Sequence, residues 1–171
     1  MTLTLIPEER ALILKKQRDP NLAWVWQLLE QVVDPELPML SLVDLGVVID
    51  LHLSDEALQI SLIPTHSGCP AQTAMAENLQ ATLMPSLQAK QLQLRVRYQL
   101  SPVWQASWIS EAGIAKLYQN GIGWYPHADQ LPKCPRCLNE NTQSIAEFGA
   151  TACKALFRCL DCLEPFEAIK P

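Results

Sequence analysis

The chain has 171 residues with 13 basic and 18 acidic side chains, and its net charge of −5 argues against non-specific nucleic-acid binding. Hydrophobic residues make up 49%, as in ordinary globular proteins, and no apolar run reaches the roughly 18–20 residues of a membrane span. Glu8, Glu9 and Arg10 interrupt the place where a signal peptide has its apolar core. We therefore expect a cytoplasmic protein that binds neither nucleic acid nor membrane.

The first half of the chain predicts a helix and a β-hairpin. Asp19 is a typical N-cap, and apolar residues follow it at three- and four-residue steps. Asp34 ends this helix, because a residue before proline avoids the helical region. Alternating or apolar runs predict strands at 47–53, 58–63 and 91–100.

Two further helices complete the order of elements. One starts at Pro70 and runs to about Leu83, where Met84-Pro85-Ser86 is expected to close it. Ser110 caps a last short helix that Asn120-Gly121 stops. The order α-β-β-α-β-α predicts an α+β domain with a small mixed three-stranded sheet and helices on one face.

Four of the five cysteines in the C-terminal tail form two Cys-x-x-Cys pairs. Cys134 pairs with Cys137 and Cys159 with Cys162, and the 21 residues between the pairs suit a β-hairpin that returns to the same ion. A tail of this size cannot normally bury enough apolar surface to fold alone. A structural zinc ion contributes about 10–16 kcal/mol of apparent binding free energy in small zinc peptides, which stabilises the folded form. We predict a zinc ribbon whose small core is packed by Phe157, Phe166 and Ile169. The chain is then divided into an N-terminal arm (1–18), a main domain (19–125), a linker (126–131) and the ribbon (132–171).

The tail leaves two alternatives open. Four thiolates also suit a mononuclear iron site or an iron–sulfur cluster. A disulfide framework is the other alternative, although paired Cys-x-x-Cys motifs without a secretion signal favour metal. Cys153 does not fit the ribbon's pairing, and the sequence leaves open an inert thiol, a transient metal ligand or part of a docking face.

The sixth cysteine, Cys69, lies directly before Pro70 at a predicted helix start. Backbone N–H groups and the helix dipole lower a thiol pKa at such a position, which favours a reactive or metal-binding thiolate. Gly68 permits close backbone approach, and Thr65 and His66 supply polar groups. A small buried residue at a helix start is the alternative.

Three acidic residues could join this loop as oxygen ligands or acid–base groups. Asp34, Glu36 and Asp44 would do so only if the fold brings them to Cys69; otherwise they serve capping and turn chemistry. His66 could likewise orient a thiolate, bind iron or simply occupy a surface loop.

Several motifs carry a resemblance to known families. The first half resembles the SufT-type iron–sulfur assembly family in the stretches Asp34-Pro35-Glu36-Leu37-Pro38, Ser41-Leu42-Val43-Asp44-Leu45-Gly46 and Thr65-His66-Ser67-Gly68-Cys69-Pro70. That resemblance implies a role in maturing iron or iron–sulfur proteins, with Cys69 as the reactive residue and a transient site for iron or an Fe–S fragment.

The tail resembles the PaaD family, whose members are associated with phenylacetyl-CoA epoxidase. The motifs are Cys134-Pro135-Arg136-Cys137, Glu147 to Leu156 and Cys159-Leu160-Asp161-Cys162. This resemblance implies a place in aerobic phenylacetate catabolism, with the epoxidase subunits and their Fe–S reductase as partners. Homodimerisation through a sheet edge is left open.

The expected role is that of a non-catalytic accessory or maturation protein. The sequence has no Glu-x-x-His pair for a di-iron centre, no Gly-x-Gly-x-x-Gly turn and no plant-type ferredoxin cysteine run. The alternative is a stoichiometric structural subunit of the oxygenase complex that transfers nothing.

Overall fold

A computed structural model describes Gln17 and residues 19–66 and 71–171 of the chain. These residues form two sheets, one of three strands and one of four, with helices packed against the first. The predicted α+β class, with a mixed sheet and a C-terminal ribbon, is confirmed. None of the helices in the described ranges combines the length and hydropathy of a membrane-spanning segment.

The elements follow the predicted order, with one extra short helix and extra strands in the tail. A 3₁₀ turn covers Pro20–Leu22. The helices are α1 (Ala23–Leu29), α2 (Leu42–Leu45), α3 (Gln72–Ala89) and α4 (Glu111–Gln119). The strands are β1 (Val48–Leu53), β2 (Ala57–Leu62), β3 (Gln93–Tyr98), β4 (Gly123–Trp124), β5 (Thr142–Ala146), β6 (Lys154–Cys159) and β7 (Pro165–Ile169).

The first sheet has the order β1-β2-β3. Strands β1 and β2 pair antiparallel as the predicted hairpin, with Leu51 opposite Ile60. Strand β3 returns parallel to β2 after the crossover through α3. The central strand β2 is buried along most of its length, whereas β3 alternates exposed and half-buried residues, as an edge strand with one wet face should.

A tight turn links α2 to β1 at Gly46. Its φ of 68° lies in the left-handed region, and an added Cβ would lie 2.5 Å from the carbonyl oxygen of Trp108. Glycine therefore serves both the turn and the close approach of the segment that carries Trp108.

The second sheet has the order β4-β7-β6-β5. The β5–β6 pair is the hairpin that the cysteine spacing predicts, and β7 pairs antiparallel with β6. Strand β4 pairs parallel with β7, so a segment on the N-terminal side of the predicted linker contributes the fourth strand. Trp124 Nε1 also donates 2.8 Å to the carbonyl of Ala106 and so joins this strand to the main core.

Three details of the prediction are wrong. Helix α1 ends at Leu29, five residues before Asp34, and Val33 instead forms a β-bridge with Ser41. Helix α3 continues to Ala89 and contains Pro85, which was expected to close it. The proline lies on the exposed side, while Leu83 and Leu87 on either side are buried, so packing of the apolar face outweighs the lost backbone bond. Ile169, expected in the ribbon core, packs into the main core instead, whereas Phe157 and Phe166 do form the ribbon core.

Candidate functional site

The four paired cysteines of the tail converge at one end of the second sheet. All four sulfur atoms lie within 4.8 Å of one another. The Sγ atoms of Cys134 and Cys162 are 3.6 Å apart, as are those of Cys137 and Cys159. A tetrahedral ion with metal–sulfur bonds of about 2.3 Å separates its sulfurs by about 3.8 Å, so the quartet fits one four-coordinate ion. A disulfide is excluded for these pairs, because its sulfurs lie only about 2.05 Å apart.

Two equivalent turns place the thiols. In each, the N–H of the first cysteine bonds to the carbonyl five residues later: Cys134 to Asn139 and Cys159 to Glu164, both at 2.9 Å. The residue four positions after each first cysteine, Leu138 or Leu163, has φ near +65°. Local backbone geometry therefore places the two thiols of each pair side by side.

Hydrogen bonding to sulfur favours thiolate at Cys159, whereas burial and the neighbouring thiols raise the pKa of the Cys137 and Cys162 thiols. The N–H of Cys162 points to the Sγ of Cys159 at 3.5 Å. That backbone bond lowers the pKa of the Cys159 thiol to about 7, although burial opposes the shift. Metal ligands are thiolates, so the hydrogen bond to Cys159 assists binding near neutral pH.

Asp44 belongs to a structural network. It forms a capping box with Ser41 and also accepts from Ser110 Oγ at 2.9 Å and Lys116 Nζ at 2.6 Å. Burial opposes ionisation, but Lys116 and the hydroxyl and backbone donors outweigh it and lower the pKa of Asp44. Asp44 therefore combines the capping contact to Ser41 with two bonds that join α2 to α4.

Asp34 closes a turn through its side chain, whereas Glu36 contacts the ribbon. Asp34 Oδ1 accepts the backbone N–H groups of Glu36 at 2.8 Å and Leu37 at 2.9 Å. Burial raises the pKa of Asp34 despite these bonds. The turn that they close aims Glu36 at the ribbon, where its Oε2 lies 3.8 Å from the Sγ of Cys153.

Cys153 is buried at the junction of the two sheets. Its sulfur contacts Thr151 Oγ1 at 3.1 Å as well as Glu36. Burial raises the pKa of the Cys153 thiol, and the carboxylates of Glu36 and Asp34 add to the shift while Thr151 and Lys154 oppose it. The thiol therefore keeps its proton at neutral pH.

A cavity of about 250 Å³ opens beside this thiol. Thr65 and His66 border it from the main domain, as does the buried Trp104. The ribbon contributes Cys153 and the exposed Phe148. The ammonium of Lys170 lies over the Phe148 ring, 4.2 Å from its centroid. The cavity is thus shared between the two halves of the chain.

The structure brings some of the predicted site residues together and separates others. Glu36 and Asp34 lie near Cys153, and the cavity that Cys153 borders is also bordered by Thr65 and His66. Asp44 is bound to α4 through Lys116 and Ser110. Cys69 and Gly68 lie outside the described residues, so their predicted roles remain predictions.

Sequence reasoning missed the residues that hold the Cys153 segment. Glu167 Oε2 pairs with Lys154 Nζ at 2.7 Å, and the other oxygen of Glu167 accepts the backbone N–H of Ala150. An added Cβ at Gly149 would collide with the same carboxylate. The Gly149-to-Lys154 stretch stands out as a motif in the sequence, but nothing in it indicates that Glu167 is its partner.

Two family models match the chain. Residues 22–91 match the model described as an iron-sulfur cluster assembly protein, and residues 126–170 match the model described as the PaaD zinc beta ribbon domain. Together they agree with the two resemblances that the motifs predicted.

The chain is also similar to one curated protein and to a solved structure. It is 38% identical over 158 residues to an Escherichia coli (strain K12) protein named as a subunit of 1,2-phenylacetyl-CoA epoxidase, covering 88% of this chain and 93% of that protein. A crystal structure of a domain of unknown function (DUF59) from Bacillus anthracis matches with a TM-score of 0.52 at 24% identity. It covers 56% of this chain and 89% of the other, a likeness that concerns the fold alone.

Proposed function

Because the chain belongs to the PaaD family of 1,2-phenylacetyl-CoA epoxidase subunits, we propose that it is an accessory protein of a phenylacetyl-CoA epoxidase in aerobic phenylacetate degradation. In this role it assists assembly of an iron or iron–sulfur centre in the oxygenase or in its Fe–S reductase and does not itself catalyse the oxygenation. The observation that carries the proposal is the joining of an iron–sulfur-assembly module and a PaaD ribbon in one chain. The work takes place in the cytoplasm, where thiols stay reduced.

The ribbon quartet holds a structural zinc ion in this proposal. Support comes from four thiolates at tetrahedral separations, with both Cys-x-x-Cys turns closed by backbone bonds. Such a site has no open position for a substrate, so its task is to shape the ribbon. The ribbon then offers a surface for docking on the epoxidase.

Cys69 is the proposed carrier of the iron cargo. A thiolate is the usual protein ligand of iron–sulfur fragments, and the sequence places this thiol immediately before a proline and close to the start of α3. Thr65 and His66, which precede Cys69 in the sequence, border the cavity of about 250 Å³ beside Cys153. This cavity leaves room beside Thr65 and His66 for a cargo ion. Release of the iron cargo from Cys69 requires a client protein that offers stronger or more numerous ligands than one thiolate.

The test replaces Cys69 with serine. Epoxidase and reductase are purified from cells whose only copy of this protein is wild-type, Cys69→Ser or the matched control Ser67→Ala. We expect Cys69→Ser to lower the iron content of the oxygenase or the cluster content of the reductase at least threefold, with Ser67→Ala unchanged. Full metal content in both partners with Cys69→Ser would overturn the proposed mechanism.

A structural subunit is the second candidate. The E. coli relative is named as a subunit, and the ribbon exposes apolar side chains that a partner could bury: Leu138, Ile145, Phe148, Leu160 and Leu163. This candidate expects the chain at a fixed ratio in the active complex throughout turnover. Purification of a fully active epoxidase without this chain would count against it.

A further inference from the structure

The cavity of about 250 Å³ between the two halves of the chain is lined by a cation and by aromatic rings. Lys170 borders it from the last strand's end, Trp104 from the main domain and Phe148 from the ribbon. Among the described residues that line the cavity, none has an acidic side chain. A cation beside apolar walls, with no carboxylate side chain to neutralise it, is the lining that suits an apolar anion.

The ammonium of Lys170 has hydrogen-bond donors left for a ligand. Its Nζ donates to the carbonyl oxygen of Glu147 at 3.1 Å and lies over the Phe148 ring, 4.2 Å from the centroid. An ammonium has three N–H groups, so one such bond does not exhaust it. Lys133 and Lys154 of the ribbon each pair with a carboxylate, whereas Lys170 pairs with none in the part of the chain that the structure describes. The positive charge at this cavity is therefore positioned but not neutralised.

The two aromatic walls are complementary in their exposure. Trp104 is 6% exposed, and its Nε1 donates to the carbonyl oxygen of Leu45 at 2.9 Å, which fixes the indole at the cavity wall. Phe148 is 60% exposed, so a ligand that covers its ring removes apolar surface from water. A flat apolar group that enters the cavity would thus meet one fixed ring and bury part of another.

The thiol of Cys153 completes the lining as a neutral group. Burial raises the pKa of this thiol, so it adds a small apolar wall and no second negative charge. The carboxylate of Glu36 contacts the sulfur, but Glu36 is not among the residues that line the cavity. Neither group therefore repels an anion bound at Lys170.

We propose that this cavity binds a small aromatic carboxylate, with its ring against Trp104 and Phe148 and its carboxylate on the Lys170 ammonium. An ordinary water takes about 30 Å³, so the cavity equals about eight waters, which is enough for a monocyclic acid of about ten non-hydrogen atoms. The charge-assisted hydrogen bond orients the acid, and the rings supply the buried area.

The natural acid and its effect are separate from the existence of the site. The identification of that acid as phenylacetate rests on the proposed function. So does a competition between the acid and iron cargo for the space beside Thr65 and His66, which line the same cavity. The site for an aromatic carboxylate rests only on the lining of the cavity.

Phenylacetate is the probe, and the indole N–H resonance of Trp104 reports on the site in zinc-loaded, full-length protein labelled with nitrogen-15. We expect this resonance to shift saturably with a dissociation constant of about 1 mM or tighter. Trp24 lies under Lys90 and outside this cavity, so its indole resonance should not move. Phenylacetamide, which lacks the charge, and acetate, which lacks the ring, should each bind at least tenfold more weakly.

Substitutions test the cation separately. Lys170→Met should weaken phenylacetate binding at least tenfold, whereas Lys170→Arg keeps the charge and should stay within threefold of wild type. Lys90→Met is the matched control, because Lys90 also lies over an aromatic ring but does not line this cavity, and it should leave binding unchanged. Cys69→Ser should bind as wild type does, so a failure of the proposed iron transfer would not touch this result.

Each variant must keep its zinc and the dispersion of its amide spectrum. The ligand comparison uses the wild-type protein, so it decides the question even if Lys170→Met does not fold. A Trp104 resonance that stays unmoved at about 20 mM phenylacetate would overturn the proposal. Equal affinity for phenylacetamide, unaltered affinity in folded Lys170→Met, or an equal loss in Lys90→Met would each overturn it as well.

Discussion

Asp44 is the residue through which α2 and α4 are joined. Its carboxylate receives hydrogen bonds from Ser41, Ser110 and Lys116, and an asparagine in its place would keep the shape but lose the charge. We expect Asp44→Asn to lower the free energy of unfolding by about 1–3 kcal/mol at pH 7, measured by urea denaturation. A change in the free energy of unfolding below about 0.3 kcal/mol, which is near the limit of detection, would contradict a stabilising role for the Asp44 network.

The same residue predicts a pH dependence. Its pKa is lowered by folding, so its stabilising effect is complete above the ordinary value of 3.8 and is lost as pH falls through the lower folded-state value. The stability difference between wild type and Asp44→Asn should therefore be constant from neutral pH down to about pH 5 and shrink below about pH 4. A difference that grew on acidification would contradict this sign.

Leu138 and Leu163 make the two metal turns with a backbone that leucine rarely adopts. Their φ values are 64° and 65°, and their side chains are 62% and 57% exposed, so glycine would relieve strain and lose little burial. We expect either change to glycine to tighten zinc binding about threefold to fivefold in a chelator competition, equivalent to about 0.7–1 kcal/mol. Leu160→Gly is the matched control and should not tighten it, because its φ is not positive.

At the scale of elements, helix α3 shows how packing overrides a local signal. Pro85 has no N–H to donate, so the carbonyl of Ala81 lacks its helical partner, yet the helix runs on to Ala89. Because the side chain is exposed, Pro85→Ala should restore the bond without disturbing the core. We expect the free energy of unfolding to rise by about 1–3 kcal/mol, measured as a higher urea midpoint at unchanged slope. An unchanged or lower midpoint would mean that the proline is favourable where it stands.

The periodicity of apolar residues predicted which helices and strands form better than it predicted where they end or which elements they pair with. The strict alternation around β3 and the Ser110 cap of α4 are strong local signals, and both elements form where expected. Strand β4 has only two residues and is defined by its pairing with β7, which no local pattern reveals. Ile169 likewise faces the main core because the last strand reaches across the junction.

At the scale of the whole molecule, the cysteine quartet and the Cys153–Glu36 contact differ in how far the sequence predicts them. The quartet follows from spacing within two short motifs, because each turn brings its own pair of sulfurs together. The approach of Glu36 to Cys153 depends on how two separately built halves pack, and their sequence separation of 117 hides it. Cys153 could be noticed as an unpaired thiol, but its partner could not be named.

The two halves should also differ in their need for metal. Among the described residues the ribbon cluster contains only seven buried side chains, two of which are cysteines of the quartet, against 26 in the main core. After zinc removal with a chelator, we expect amide exchange in β5, β6 and β7 to accelerate on the order of 100-fold, with β2 unchanged. Hydrogen-exchange mass spectrometry resolves the segments, and equal acceleration in β2 would show that the halves fold as one unit.

The most direct test of the central claim is the metal content of the client. Oxygenase and reductase are produced with and without this chain, purified, and assayed for protein-bound iron and for acid-labile sulfide. Our account predicts that without the chain at least one of them is obtained with normal yield but depleted of its metal centre. Full iron and sulfide in both partners, made in the absence of this chain, would contradict a maturation role.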